Sequence, residues 1–535
     1  MIRLSRRRLL QGAGALGVWS ALRPVMAGGR FDLEVSEVPV RIGNRKAVGT
    51  ALNGSVPAPL LRWREGDDVT IAVTNRLKVP TSLHWHGIRT PSAMDGVPGL
   101  SFAGIAPGET FTYRFPVKQS GTYWYHSHSA YQEQSGLYGP IVIEPADGYA
   151  QAFDRDHVIL LSDWSAEDPA EMLSNLKFQS DYYNYGRRTA GTFLDDARKN
   201  GLGATLSDRL EWGRMRMAPT DILDVSATAY SYLVNGQPPE ANWTGLFRPG
   251  EKVRLRIINA ASMTVFDLRL PDLPMSVVQA DGNEVEPVTV DQIRIAPAET
   301  YDVIVTPPDD RPYTIFAQSE DRSGYARGTL SPRPGLAGPI PPMDPRPLRT
   351  MADMGMAGMG EMKMDRPMSE NPPEPGIAVD NVAMMPGPRL AESDAPEGRR
   401  VLTYADLRAT RPGSDPRPPS REITLHLTGN MDRFMWGFDG KKFTEAGPIE
   451  LQQGERVRFT LVNDTMMEHP LHLHGLWSEL DNGQDDFRPY KHTVNVKPGE
   501  SLSFLVTADE PGRWAFHCHM LFHMATGMFR EVRVS

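Results

Sequence analysis

Three stretches of this 535-residue chain superimpose without gaps. REGDDVTIAVTN (64–75), RPGEKVRLRIIN (248–259) and QQGERVRFTLVN (452–463) share the frame G-x-x-V-x-x-x-x-x-N. Each reads as a turn glycine leading into an alternating, half-buried strand. A second frame follows each copy: APGETFTYRFPV (106–117), APAETYDVIVTP (296–307) and KPGESLSFLVTA (497–508). Two frames in the same order, three times over, define a tandem repeat of one β-domain. Short strands between regular turn signals predict a sandwich, and Gly 48 with Pro 46 supply the punctuation. The chain is therefore expected to be all-β, with domains at 28–148, 149–330 and 401–535. Within the second lies an insertion, about 165–220, with helical spacing in AEMLSNLKF and FLDDARKNGL. The stretch 331–400 is rich in Met, Pro and Gly, lacks strand alternation, and reads as a linker.

The N-terminus predicts the compartment. SRRRLLQG (5–12) sets arginines ahead of an apolar, small-residue run, and Val25-Met26-Ala27 offers a small-residue cleavage site. This reads as a twin-arginine export signal, residues 1–27, whose partner is the Tat machinery, delivering a protein to a bacterial periplasm. No stretch approaches the roughly 18 apolar residues of a bilayer span. A net charge of −9 gives no reason to expect nucleic acid. An exporting cell permits disulfides, yet the chain has a single cysteine, Cys518, which cannot form one internally.

Histidine placement is far from random. The chain has 13 histidines, for which chance would give about 0.3 H-x-H pairs. It has four such pairs: His84/His86, His126/His128, His472/His474 and His517/His519. On a strand, residues two apart share a face. His84 and His472 each lie nine positions past a frame asparagine, Asn75 and Asn463, and the other two pairs also match in position. The first and third domains thus carry equivalent pairs that can meet across one interface. The middle domain has Leu268, Leu270, Phe316 and Gln318 instead, which makes it a spacer.

The cysteine sits inside the last pair, in HCHMLFHMATGM (517–528). His469 precedes the HLH pair by three, and His523 and Met528 follow Cys518 by five and ten. Two histidines, a thiolate and a thioether form the ligand set of a blue-copper electron-transfer site. The first domain has Ser127 and Thr81 at the positions of Cys518 and His469, so only the third domain can hold such a site.

HWHG (84–87), HSH (126–128), HPLHLHG (469–475) and HCHMLFHMATGM resemble, in order, the four copper motifs of the multicopper oxidases. The resemblance covers nearly the whole mature chain. It implies three cupredoxin-like Greek-key domains and four copper ions. It assigns His469, Cys518, His523 and axial Met528 to the type 1 copper, and His84 and His472 to the type 2. His86, His126, His128, His474, His517 and His519 would hold the type 3 pair. The implied reaction passes single electrons from a reductant through Cys518, with His517 and His519, to dioxygen, which becomes water. Asp95, in MDGVPG, matches an acid near the cluster in relatives; the alternative is a plain turn aspartate before Gly96. Some relatives carry an acid directly after the equivalent of His523, where this chain has Met524, so no acidic relay is expected on that side. His157 and His426 read as structural, His492 as undecided, and Glu468 as one more exposed acid.

The reductant is read from MADMGMAGMGEMKMDRPM (351–368), which holds Met351, Met354, Met356, Met359, Met362, Met364 and Met368. Thioethers suit Cu(I) and form no disulfides. With the export signal, such a segment resembles the copper-resistance oxidases of bacteria, and a Cu(I)-recruiting role follows. The alternative is a methionine-rich linker, or one folded down by apolar contact. Three functions remain open: oxidation of Cu(I) to Cu(II), laccase-like oxidation of phenols or aromatic amines, and copper sequestration. A complete ligand set argues against the last.

Overall fold

A computed structural model describes residues 26–27, 29–214, 217–354, 372–374, 376, 378–393 and 395–535. The expected export signal lies almost wholly outside the described residues. Of it, Met26 and Ala27 are described, and they pair in parallel with Leu61 and Arg62.

The two repeated frames are two neighbouring strands, and their pairing recurs three times. Asp68–Asn75 runs antiparallel to Thr110–Pro116, Val253–Asn259 to Thr300–Val305, and Arg456–Asn463 to Ser501–Thr507. Each pair sits in one of two sheets per repeat. The first repeat has sheets of four and five strands, the second two of six, and the third sheets of six and five. The alternating valines, leucines and phenylalanines of these strands are buried.

The frame asparagine has a physical reason. In each repeat it closes the loop that leads from one sheet to the other. Asn75 donates to the carbonyls of Val79 and Ile105 at 2.9 and 2.8 Å and accepts from Leu77 N–H. Asn259 donates to Thr264 and Ile295, both at 2.9 Å, and accepts from Ala261 N–H. Asn463 donates to Met467 and Val496 at 2.8 and 3.0 Å and accepts from Thr465 N–H. All but the part-buried Val79 carbonyl of these loop amides and carbonyls are buried and need partners. One amide side chain supplies three of them.

Two features add to the sequence reading. Val401–Leu402, assigned to the third domain, pairs with Gln292 and Ile293 and extends the middle sheet. Past Ser331, where the strand Tyr325–Ser331 ends, the stretch to residue 400 has no regular strand among its described residues, but it is docked rather than free. Arg349 is buried, paired with Glu320 at 3.0 Å and bonded to the Met466 carbonyl. Asp344 pairs with Arg269 and Arg399. Met354 and Ala383 lie in the core. The insertion forms three helices, Pro169–Phe178, Ala190–Asn200 and Leu202–Arg214. The first starts where the Asp168 carboxylate caps the Ala170 and Glu171 amides. No helix among the described residues is long and apolar enough to cross a membrane.

Candidate metal centre

The strands that carry the four histidine pairs meet edge to edge within each flanking repeat. His84 lies directly opposite His126, and His472 opposite His517. The strands end inside the second motifs, at His126 and Cys518, so His128 and His519 sit just beyond the ladder. Each H-x-H pair is consequently split, one ring turning to one group and the other to the next.

Four groups result. His84 Nε2 and His472 Nε2 face each other at 3.4 Å. His86, His126 and His519 converge, with His126 and His519 Nε2 atoms 3.3 Å apart. His128, His474 and His517 converge likewise, the His517 Nε2 being 3.3 Å from His128 and 3.1 Å from His474. The fourth group is His469, Cys518 and His523, with Cys518 Sγ 3.6 and 3.7 Å from the two Nδ1 atoms. Met528 is buried beside it. Its N–H donates to the His523 carbonyl and its own carbonyl accepts from Cys518 N–H.

These groups fit metal ions, and the hydrogen bonds say why. His84 Nδ1 donates to the Asp95 carbonyl at 2.8 Å, and His472 Nδ1 to the His492 carbonyl at 2.5 Å. His474 Nδ1 donates to the Asp95 carboxylate at 2.9 Å. His517 Nδ1 donates to the Cys518 carbonyl at 2.9 Å, and His126 Nδ1 faces the Glu133 carboxylate at 2.7 Å. With those protons placed outward, the inward Nε2 atoms present lone pairs to one another, and no hydrogen bond can form between them. A shared cation resolves that arrangement. His86 Nδ1 is a further buried nitrogen without a partner.

Burial keeps the rings neutral, the form that binds metal. It holds His86, His126, His128, His469, His472, His474 and His519 well below the ordinary imidazole value, with neighbouring imidazoles pushing the same way. It takes His517 to about 3 and His492 to about 4. Burial pushes the Cys518 thiol up, so metal binding there must release a proton. Two neutral imidazoles with a thiolate and a buried thioether suit copper rather than a hard, oxygen-seeking cation.

The first repeat fills the positions equivalent to His469, Cys518 and His523 with hydrogen-bonded Thr81, Ser127 and Gln132. Gln132 follows Ser127 by five, as His523 follows Cys518. Its Oε1 accepts from Thr81 Oγ1 at 2.6 Å and from Ser127 Oγ at 2.9 Å, with Leu137 buried in the place of Met528.

Several residues stand differently from their sequence reading. Asp95 is no plain turn residue; it is buried and orients two rings. Glu468 is not exposed: it is 1 % accessible, paired with Arg294 at 3.0 Å and bonded to Asn495. Glu133, which follows Gln132 as Met524 follows His523, is an acid at the matching position of the first repeat and faces His126 Nδ1. It is buried, and desolvation raises its carboxyl well above the ordinary value. His492 proves to lie against the cluster, its Nδ1 3.1 Å from His86 Nε2. His157 bonds the Leu246 carbonyl and His426 the Asp464 carboxylate, both away from the four groups. The middle domain is more than a spacer. Leu268, Leu270, Phe316 and Gln318 are indeed buried there without ligating groups, yet Asp224 accepts from His523 Nε2 at 2.8 Å. No spacing rule marked Asp224, which acts across domains, or Glu133, which faces His126 of its own repeat. Of the seven methionines, Met351 is half-buried and Met354 is in the core; Met356, Met359, Met362, Met364 and Met368 lie outside the described residues.

Family profiles described as multicopper oxidase match residues 34–148, 155–333 and 416–535. The chain is 49% identical over 608 residues to copper resistance protein A of Pseudomonas syringae pv. tomato, covering 99% of each. It is 50% identical over 606 residues to copper resistance protein A of Escherichia coli, covering 100% of each. Among solved structures, a laccase from Botrytis aclada shares the fold at a TM-score of 0.67 and 22% identity, with 95% of this chain and 88% of that one covered. Three consecutive family matches, over the two repeats that carry the donor groups and the one between them, place this chain in the multicopper oxidase family.

Proposed function

We propose that this oxidase converts Cu(I) to Cu(II) at the expense of dioxygen, in periplasmic copper resistance after export by the Tat machinery. The observation that carries the reading is Cys518, whose sulfur faces one donor group while its chain neighbours His517 and His519 enter two others. We assign His469, Cys518, His523 and Met528 to the type 1 copper, His84 and His472 to the type 2, and the two histidine triads to the type 3 pair. When bound, the four coppers supply one-electron acceptance from substrate and four-electron delivery to dioxygen.

The chain's own part is positioning and proton handling. Asp224 fixes the His523 ring, and Thr465 fixes His469 by accepting from its Nε2 at 2.7 Å. Trp436 packs on His523 with ring centroids 4.0 Å apart, which keeps water off that ring. Asp95 sets the tautomers of His84 and His474, so each offers Nε2 inward. Glu133, raised by burial, can hold a proton beside His126 and release it toward the cluster, where reduction of dioxygen to water consumes protons.

The high identity to proteins named for copper resistance supports Cu(I) as reductant, as does the methionine-rich segment. Met354 is packed in the core, which leaves the other six methionines as the candidates for recruitment. A laccase-like reading draws on one observation: a cavity of about 620 Å³ bordered by Leu100, His128, Tyr131, Phe443 and Phe529, roomy and aromatic enough for a phenol. Cys518→Ser tests the oxidase reading against sequestration. It should abolish oxygen uptake while leaving copper on the other donor groups; retained uptake would contradict the assignment.

A further inference from the structure

At the meeting point of the three domains, the turn after Met275–Ala280 in the middle domain reaches toward the cluster. Its tip is Asp281-Gly282, with φ of 47° and 76°. Gly282 is obligatory there, because a Cβ would come within 2.2 Å of the Tyr123 ring. The tip thus presses on the first domain with Gly282 and presents Asp281 to the third.

Asp281 is fully buried, and one of its oxygens serves three groups. Oδ2 accepts from the backbone amides of His492 and Thr493, each at 3.1 Å, and is ion-paired with Lys491 Nζ at 3.0 Å. The other oxygen accepts from Thr300 N–H at 2.9 Å. Lys491 is also fully buried and shares its charge with Glu299 at 3.0 Å, above the rings of Tyr301 and Tyr404 at 5.0 and 5.3 Å. A buried lysine so enclosed keeps its charge through these two carboxylates.

The segment that Asp281 grips is the one that orients two cluster histidines. The His492 carbonyl accepts from His472 Nδ1. The His492 ring and Thr493 Oγ1 each lie 3.1 Å from His86 Nε2, which turns the unpartnered His86 Nδ1 inward. One residue from each flanking domain is therefore aimed by a peptide that the middle domain holds.

We propose that Asp281, supported by Lys491, is a positioning residue for the type 2 and type 3 coppers: the ligand-free middle domain fixes the aim of His472 and His86 through the 491–493 peptide. This rests on the ligand assignment above. Asp281→Asn keeps shape and one acceptor but removes the charge that faces Lys491. Asp281→Glu keeps the charge and shifts the acceptor by one methylene.

The test uses the full-length, copper-loaded protein. Electron paramagnetic resonance reads the type 2 copper, the thiolate absorption reads the type 1 copper as an internal control, and chelator challenge reads copper retention. His472→Ala serves as reference. We expect both Asp281 variants to keep the type 1 absorption, to change the type 2 hyperfine splitting, and to lose type 2 copper to chelator at least tenfold faster than the parent. An unchanged type 2 signal and unchanged retention in either folded variant would overturn the proposal. So would a loss of type 1 and type 2 signals in parallel, which marks a purely structural pin. If His472→Ala itself left the type 2 signal intact, the ligand assignment would be at fault, separately from the role of Asp281.

Discussion

Asp224 accepts a hydrogen bond from His523 Nε2 at 2.8 Å, although the two residues are 299 positions apart and belong to different repeats. The bond leaves His523 Nδ1 as the nitrogen that faces Cys518 and His469. Asp224→Ala leaves a buried N–H without an acceptor, at a cost of about 1–3 kcal/mol. We expect the variant to show a broadened or weakened thiolate absorption and slower substrate oxidation, with the type 2 signal unchanged. Spectroscopy of the copper-loaded variant checks this.

The repeated asparagines separate stability from function. Asn259→Ala and Asn463→Ala each strip three buried loop groups of their partner, so each should destabilise the fold by about 2–4 kcal/mol in denaturant titration. Only Asn463 also accepts from Thr465 Oγ1, which in turn holds His469. The type 1 spectrum should therefore shift in Asn463→Ala and stay unchanged in Asn259→Ala.

Burial depresses the cluster imidazoles in the folded state, so between their folded values and about 6.5 the unfolded chain binds more protons than the folded one. Stability of the metal-free protein must then fall as pH is lowered through that window, which for His492 runs from about 6.5 down to about 4. Denaturation midpoints of the metal-free protein at pH 7.5 and 5.5 should differ in that direction. Equal midpoints would mean that the rings are hydrated rather than buried.

The methionine segment calls for a deletion that respects the core. Removing residues 355–368 spares Met354, which is packed in the interior. Turnover of Cu(I) should fall several-fold and turnover of a small diphenol should be unaffected. Equal loss for both substrates would remove the recruiting role.

What the sequence made legible was whatever repeats or recurs at fixed spacing. The frames located the paired strands of all three sandwiches, and the histidine offsets located the donor groups. The spacing around Cys518 picked out His469 and His523, which converge on it. Residues that act from another repeat left no such mark. Asp224 and Asp281 are single acids in unremarkable contexts, and the meeting of the domains brings them to His523 and to the 491–493 peptide. Glu468 was misread for the same reason, since its partner Arg294 comes from the middle domain. The docking of 331–354 was equally hidden, because extended chain pinned by Arg349 and Asp344 has no periodicity to read.

The proposed use of Cu(I) as reductant is tested most directly by oxygen uptake of the fully copper-loaded protein, with weakly chelated Cu(I) in one run and a diphenol without free copper in the other. Fast uptake with Cu(I) and little with the diphenol is the expected result. Fast uptake with the diphenol alone would contradict it and make the protein a laccase.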